Sequence, residues 1–462
     1  MKPITLAEAA AEFEAHRDRY WADWMAAVRF PSVGADAARL GDCRACAAWF
    51  AERLEAAGFT AELLETGAPP VVFAERKGRA GLPVILLYGH YDVQPADPLE
   101  AWRSPPFEPE FRDGRLYGRG AQDNKGQLAY GLAALDTLNR LGGDGLCTVK
   151  VLLEGQEESG SSALSLRLPE WADRLKADVL LVTDTFLADS GAPSIVMGLR
   201  GIVHWTLTVE GPLRDLHSGS HGGLAPNPAA ALCRLVAGLH RPDGSVAVEG
   251  FYDGCRAPTA RELALLAREP FDPERYRAQT GVPPAGGETA RPPLERLGFR
   301  PTVEVNGVHG GYGGAGSKTI IPAKAFAKMT ARLAAGQEPA AVLAALDAHF
   351  KRQAPEGLTV TMDEATVGGP ALLLDADSPL AARAAGVLRE VCGREPAFHW
   401  EGASIPVLTL LARVAGGAQP LLTGFGMEDD HVHAPNESFA QERFRLGFLY
   451  MVRLLSDFSS KG

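Results

Sequence analysis

Apolar and polar positions along this chain change their period three times. The N-terminal stretch MKPITLAEAAAEFEAHRDRYW and the later GDCRACAAWFAERLEAAGF repeat apolar residues every three to four positions, which predicts two amphipathic helices. Beyond them come short uninterrupted apolar runs, PVILLYG (83–89), TVKVLLEG (148–155) and ADVLLVTD (177–184). Their continuity predicts strands covered on both faces. NKGQLAYGLAALDTLNRLG and SALSLRLPEWADRLK lie between the runs with helical spacing. Strand, helix, strand, helix, strand predicts an α/β layer, a mostly parallel sheet with helices on both faces.

From about Gly198 the pattern alternates instead. GIVHWTLTVEG reads as a half-exposed strand, NPAAALCRLVAGLH (227–240) as a helix and AFAKMTARLA (325–334) as another strand. The helix PAAVLAALDAHFKRQA and the strand LTVTMDEA follow, and RPPLERLGFRP (291–301) reads as a proline-punctuated loop. The α/β character returns with SPLAARAAGVLREVCG and LLTGFG. The expected plan is a catalytic domain in two parts, 1–198 and 371–462, interrupted by an inserted α+β lid or dimerisation domain, 199–370.

Length supports more than one core, since 462 residues exceed what a single one usually serves. The net charge of -11 argues against nucleic acid or an anionic membrane as the main partner. No apolar run approaches the ~20 residues that span a bilayer, and the N-terminus lacks the apolar core of a signal peptide. A cytoplasmic protein is expected. Six scattered cysteines make no disulfide framework, and the Cys43–Cys46 pair sits in a helical pattern without a second such pair to complete a zinc site.

Ligands of open α/β sheets gather beyond the C-terminal ends of the strands. There the chain places His90 and Asp92, then Glu157 and Glu158, then Asp184, and after LLTGFG a run from Glu428 to His433. Asp123 opens the helix between the first two strands. Any one of these could be a solvated loop residue. Gathered at one edge, so many carboxylates repel unless cations are present. Two imidazoles with carboxylates and no thiolate suit Zn²⁺, Mn²⁺ or Co²⁺. A pair of such ions sharing a carboxylate can acidify a water and polarise an amide carbonyl. One carboxylate must then stay unligated to take the proton, and the adjacent Glu157 and Glu158 could divide those tasks.

In order, the blocks YGHYDVQP, GRGAQDNKGQ, LEGQEESGS, DLHSGSHGG, GAGSKTIIP and HAPNE run through nearly the whole chain. In them it resembles the di-metal metallopeptidases that include carnosinase, cytosolic non-specific dipeptidase, aminoacylase, acetylornithine deacetylase and succinyl-diaminopimelate desuccinylase, and above all the carnosinase-like dipeptidase branch. The resemblance implies that His90 and Asp184 bind one ion, Glu158 and His433 the other, and Asp123 both. It implies Glu157 as general base and proton donor to the leaving amine, and Asp92 as the group that orients His90. His433 is preferred to His431 because it stands ahead of Asn436 and Glu437 at the family spacing.

By the same resemblance His217 of a second copy would hydrogen-bond the scissile carbonyl oxygen, which makes a homodimer part of the apparatus. Arg332 would grip a substrate carboxylate, with Ser404 beside it and Lys318 also on the substrate side. His221 has no implied role. GYGGAG (311–316) opens no helix and is not read as a dinucleotide loop. The expected activity is cleavage of dipeptides or short peptides with a free C-terminal carboxylate. An N-acyl-amino-acid deacylase or desuccinylase is the alternative within the family. A metal-binding interaction protein without catalysis is the alternative outside it, and the free base Glu157 speaks against that one.

Overall fold

In the computed structural model, which describes residues 3–142 and 145–460, the continuous apolar runs become the centre of a nine-stranded mixed sheet. Thr148–Glu154, Val84–His90, Val179–Val182 and Gln419–Leu422 lie side by side in that order, all parallel. Val71–Arg76 and Thr60–Leu64 extend the sheet antiparallel on one side, and Ser194–Leu199 does so on the other. Register then does the positioning. His90 stands opposite Glu154, Tyr88 opposite Val182, and Val182 opposite Leu422. The four parallel strands therefore end together, and whatever follows them meets at one edge.

Helices Leu6–Val28, Lys125–Gly142 and Gln441–Ser459 pack on one another beside this sheet. Trp24 and Phe444 stack with ring centroids 4.7 Å apart, and Phe13 meets Phe448 at 5.1 Å. Such aromatic pairs add about 0.5–1.5 kcal/mol each beyond the area they bury. The cysteine pair lies on the helix Leu40–Ala56, facing inward. Burial, with Asp92 and Cys46 close by, pushes the Cys43 thiol up to about 12, so it stays a protonated core residue. No described helix is long and apolar enough to cross a membrane.

The chain divides into two compact units. One holds the residues up to Met197, Leu374–His399 and those from Val407 on. The other holds Gly198–Leu373 and Trp400–Pro406. In the second unit Thr302–Gly310, Lys324–Leu333, Gly201–Glu210 and Thr359–Gly369 form an antiparallel four-stranded sheet. Alternation sorts its faces. Val203, Trp205, Leu207, Ala327, Met329 and Ala331 pack with Leu232, Leu235, Leu346 and Phe350 of two helices, Pro228–Ala237 and Pro339–Arg352. His204, Thr206, Lys328, Thr330 and Arg332 occupy the alternate positions and line an open trough on the other side.

Two local expectations are corrected. Pro293–Phe299 is a helix, not a loop, because Pro293 occupies the first turn, where its missing N–H costs nothing. The stretch after Ser161 is not one helix. It breaks into Ser162–Arg167, the 3-10 turn Leu168–Trp171 and Ala172–Leu175, with Pro169 at the break.

Candidate metal centre

His90 ends its strand and is 1 % exposed. Gly89 before it leaves room for a neighbour, since a Cβ there would lie 2.8 Å from Asn124 Oδ1. His90 Nε2 lies 3.2 Å from Asp123 Oδ1 and 3.4 Å from Asp184 Oδ2. His433 Nε2 lies 3.1 Å from Asp123 Oδ2 and 3.2 Å from Glu158 Oε2. Asp123 therefore turns one oxygen to each histidine, and each histidine has a second carboxylate of its own. The donor atoms of His90, Asp123 and Glu158 all lie within 4.8 Å of one another. Two imidazoles and three carboxylates arranged as two triads with a shared member fit a pair of divalent cations.

Electrostatics follow from the crowding. Burial alone would lower the His90 pKa, but Asp184, Asp123 and Asp92 overcome it and hold the ring well above its ordinary value. Asp123 is depressed despite burial, because both histidines hydrogen-bond it. Glu157 behaves in the opposite way. Burial pushes its carboxyl well above the usual range; His90 opposes this, while Asp184, Glu158 and Asp92 add to it. Its Oε2 stands 4.0 Å from His90 Nε2, farther than the Asp123 and Asp184 oxygens.

Supporting groups fix these side chains. Asp92 is fully buried and accepts from the main-chain N–H of Glu157 and of Glu158, both at 3.2 Å. Its carboxylate is 3.4 Å from His90 Nδ1, whereas its own carbonyl oxygen is 3.1 Å away, so both acceptors face the ring. Asn124 Nδ2 donates to Asp184 Oδ1 at 2.8 Å, and Gln94 Nε2 to Glu158 Oε2 at 2.9 Å. Gln94 did not stand out in the sequence, where an amide beside a ligand has no spacing of its own. The Asp123–Asn124 peptide bond is cis. The turn before His433 is pinned by Asp430, buried between Arg115 and Arg443. No carboxylate of the described residues ion-pairs with His431.

The remaining candidates belong to the second unit. His217 is exposed, and its Nδ1 accepts from the Gly219 N–H at 3.0 Å, which leaves the proton on Nε2. Arg332 Nη1 donates to Ser404 Oγ at 2.7 Å, and Ser404 in turn donates to the Arg200 carbonyl. No carboxylate of the described residues pairs with Arg332, although burial disfavours its charge. Lys318 is exposed, 3.8 Å from the Asp215 carboxylate. No helix follows the glycine-rich loop 311–316 before the strand Ile320–Ile321.

A cation must displace the protons these carboxylates hold on the imidazoles. Hydrogen bonds from the ring to Asp123 and Glu158 outweigh burial and draw His433 up to about 10. Below that value the free protein carries a proton there, so metal affinity must rise with pH. Apparent Zn²⁺ affinity is expected to climb about tenfold or more from about pH 6 to about pH 7, one decade per proton released. Competition with a chromophoric chelator measures it. A flat profile would show that binding releases no proton from either His90 or His433, against their reading as ligands.

Residues 86–457 match the peptidase family M20/M25/M40. Human Beta-Ala-His dipeptidase is 30% identical over 376 residues, 80% of this chain and 73% of that protein. The Cys-Gly metallodipeptidase DUG1 of Candida albicans is 30% identical over 433 residues, 89% of this chain and 88% of that protein. Among solved structures, the dipeptidase Dug1p of Saccharomyces cerevisiae superposes with a TM-score of 0.86 at 25% identity, covering 99% of both chains. Human carnosine dipeptidase 1 gives 0.83 at 26%, again over 99% of both.

Proposed function

The chain belongs to peptidase family M20/M25/M40 and is a metallopeptidase, and on that premise we propose that it cleaves dipeptides or short peptides bearing a free C-terminal carboxylate. The observation that supports this most is the division of Asp123, one oxygen toward His90 and the other toward His433. Relatives named for Beta-Ala-His and for Cys-Gly both take dipeptides, which sets the substrate size.

Two divalent ions, assigned here as zinc with manganese or cobalt as substitutes, would acidify the attacking water and polarise the scissile carbonyl when bound. His90 and Asp184 would hold one, Glu158 and His433 the other, and Asp123 both. Glu157 takes the proton of the attacking water and returns it to the leaving amine. His217, its Nδ1 occupied by the Gly219 N–H, is set to donate from Nε2 to the carbonyl oxygen and is supplied by the second copy of a homodimer. Arg332, seated by Ser404, reads the terminal carboxylate, with Lys318 on the same side of the substrate. Asp92 keeps the His90 ring in place. The six free cysteines fit a reducing cytoplasmic setting.

A panel of dipeptides and N-acyl amino acids, assayed on the metal-loaded protein, tests the reading. Turnover of dipeptides is expected, and turnover of N-acyl amino acids alone would replace the proposal with a deacylase. Arg332→Met sharpens the test. A hydrogen bond to a charged group is worth about 1.5–3 kcal/mol, so kcat/KM for dipeptides should fall by about 10–100-fold. C-terminally amidated dipeptides, which lack the carboxylate, should lose little. Equal losses on both would detach Arg332 from the carboxylate.

A further inference from the structure

We propose that Glu437 is a positioning residue for the shared carboxylate. Its buried side chain is the anionic template around which the loop carrying Asp123 is wound, and it locks that loop to the turn carrying His433. The inference rests on the reading of Asp123 as the group between two cations. Glu437 is fully buried. Its Oε1 accepts from the main-chain N–H of Gln122 at 3.0 Å and of Asp123 itself at 3.1 Å. Its Oε2 accepts from the N–H of Gly120 at 2.9 Å and from Arg119 Nη1 at 2.8 Å. A carboxylate has about four acceptor sites, and all four are taken by a run of five consecutive residues ending at Asp123.

Neutralising a buried charge would have needed only Arg119. The three main-chain amides are additional, and they belong to the segment whose last side chain must face two histidines at once. Gly120 makes the inward turn possible, since its φ is +84° and a Cβ there would lie 2.7 Å from Val93 Cγ1. The Glu437 carbonyl accepts from the Gly118 N–H at 3.0 Å, and the pairing continues as Ser438 opposite Tyr117. Four residues before Glu437 on the same segment stands His433, 3.1 Å from Asp123. One side chain thus sets the distance between two ligands that are far apart in sequence. Asn436 holds the outer side of the turn, accepting from the Arg103 N–H and donating to the Ala101 carbonyl, both at 2.9 Å.

Glu437→Gln keeps the shape but replaces one acceptor oxygen with an amide that donates, so the loop amides on that side lose their partner. Glu437→Asp keeps the charge but withdraws it by one methylene. Metal affinity and ions bound per chain are measured by chelator competition and elemental analysis, alongside the wild type, with folding followed by circular dichroism. Expected for folded Glu437→Gln is a loss of about 10–100-fold in affinity for at least one ion, with a smaller loss for Glu437→Asp. Two ions bound with wild-type affinity by folded Glu437→Gln would overturn the proposal, whatever its melting temperature, because a purely structural role moves stability alone. Should Glu437→Gln fail to fold, Glu437→Asp decides on the same criterion. If the wild type itself binds no pair of ions, it is the reading of the centre that fails, an outcome distinct from a wild type and variants that bind two ions alike.

Discussion

Glu157→Gln is expected to bind its full complement of metal and to lose about 10²–10⁴-fold in kcat, the range for removing a positioned general base. That is about 3–5 kcal/mol of transition-state stabilisation. Three features of the site single this residue out. Its carboxylate lies outside both histidine triads, 4.0 Å from His90 Nε2. Burial holds its pKa well above that of an ordinary glutamate, so its carboxylate takes up a proton more readily. Its main chain is fixed, because the Glu157 N–H is bound to Asp92. The same carboxylate holds the N–H of Glu158, so one buried group orients a base and a ligand side by side. KM should change little, since the interaction is made in the transition state. Loss of metal from Glu157→Gln would mean that the residue is a ligand. A kcat near that of the wild type would remove it from proton transfer and leave the base to another group of the site.

How much of this was legible before the structure depends on the kind of signal each residue leaves. His90, the Glu157–Glu158 pair and Asp184 follow continuous apolar runs, and parallel strands have only one edge at which their ends can meet. The choice of His433 over His431 came from the resemblance, in which two residues separate the family histidine from an Asn-Glu pair; His433 Nε2 lies 3.1 Å from Asp123. Gln94 and the full role of Glu437 left no such mark. Their importance lies in where an amide or carboxylate points after three or more segments have packed, which no period or spacing records. Pro293 shows the reverse case, a residue read as a breaker that in fact opens a helix. The return of Trp400–Pro406 to the second unit was equally silent, because a chain that revisits a unit for seven residues changes neither composition nor period.

Asp123→Asn should be the most damaging single substitution at the centre. The two oxygens of Asp123 are not redundant, since Oδ1 faces His90 at 3.2 Å and Oδ2 faces His433 at 3.1 Å. An asparagine offers one acceptor and one donor, so one triad receives an N–H where it needs a negative oxygen. Of the five carboxylates around the two histidines this is the only one that both histidines approach within 4 Å among the described residues. The variant should hold no more than one ion tightly. With it turnover should drop by at least about a thousandfold, or ~4 kcal/mol, because acidifying the water and polarising the carbonyl are tasks for two charges. Thermal unfolding gives a reading independent of activity. A ligand that binds only the folded chain raises stability by RT ln(1 + [L]/Kd). The rise in Tm on adding excess Zn²⁺ should therefore be clearly smaller for Asp123→Asn than for the wild type. An equal rise, with two ions still counted per chain, would show that the cations do not share Asp123 and that the two triads are joined by some other group.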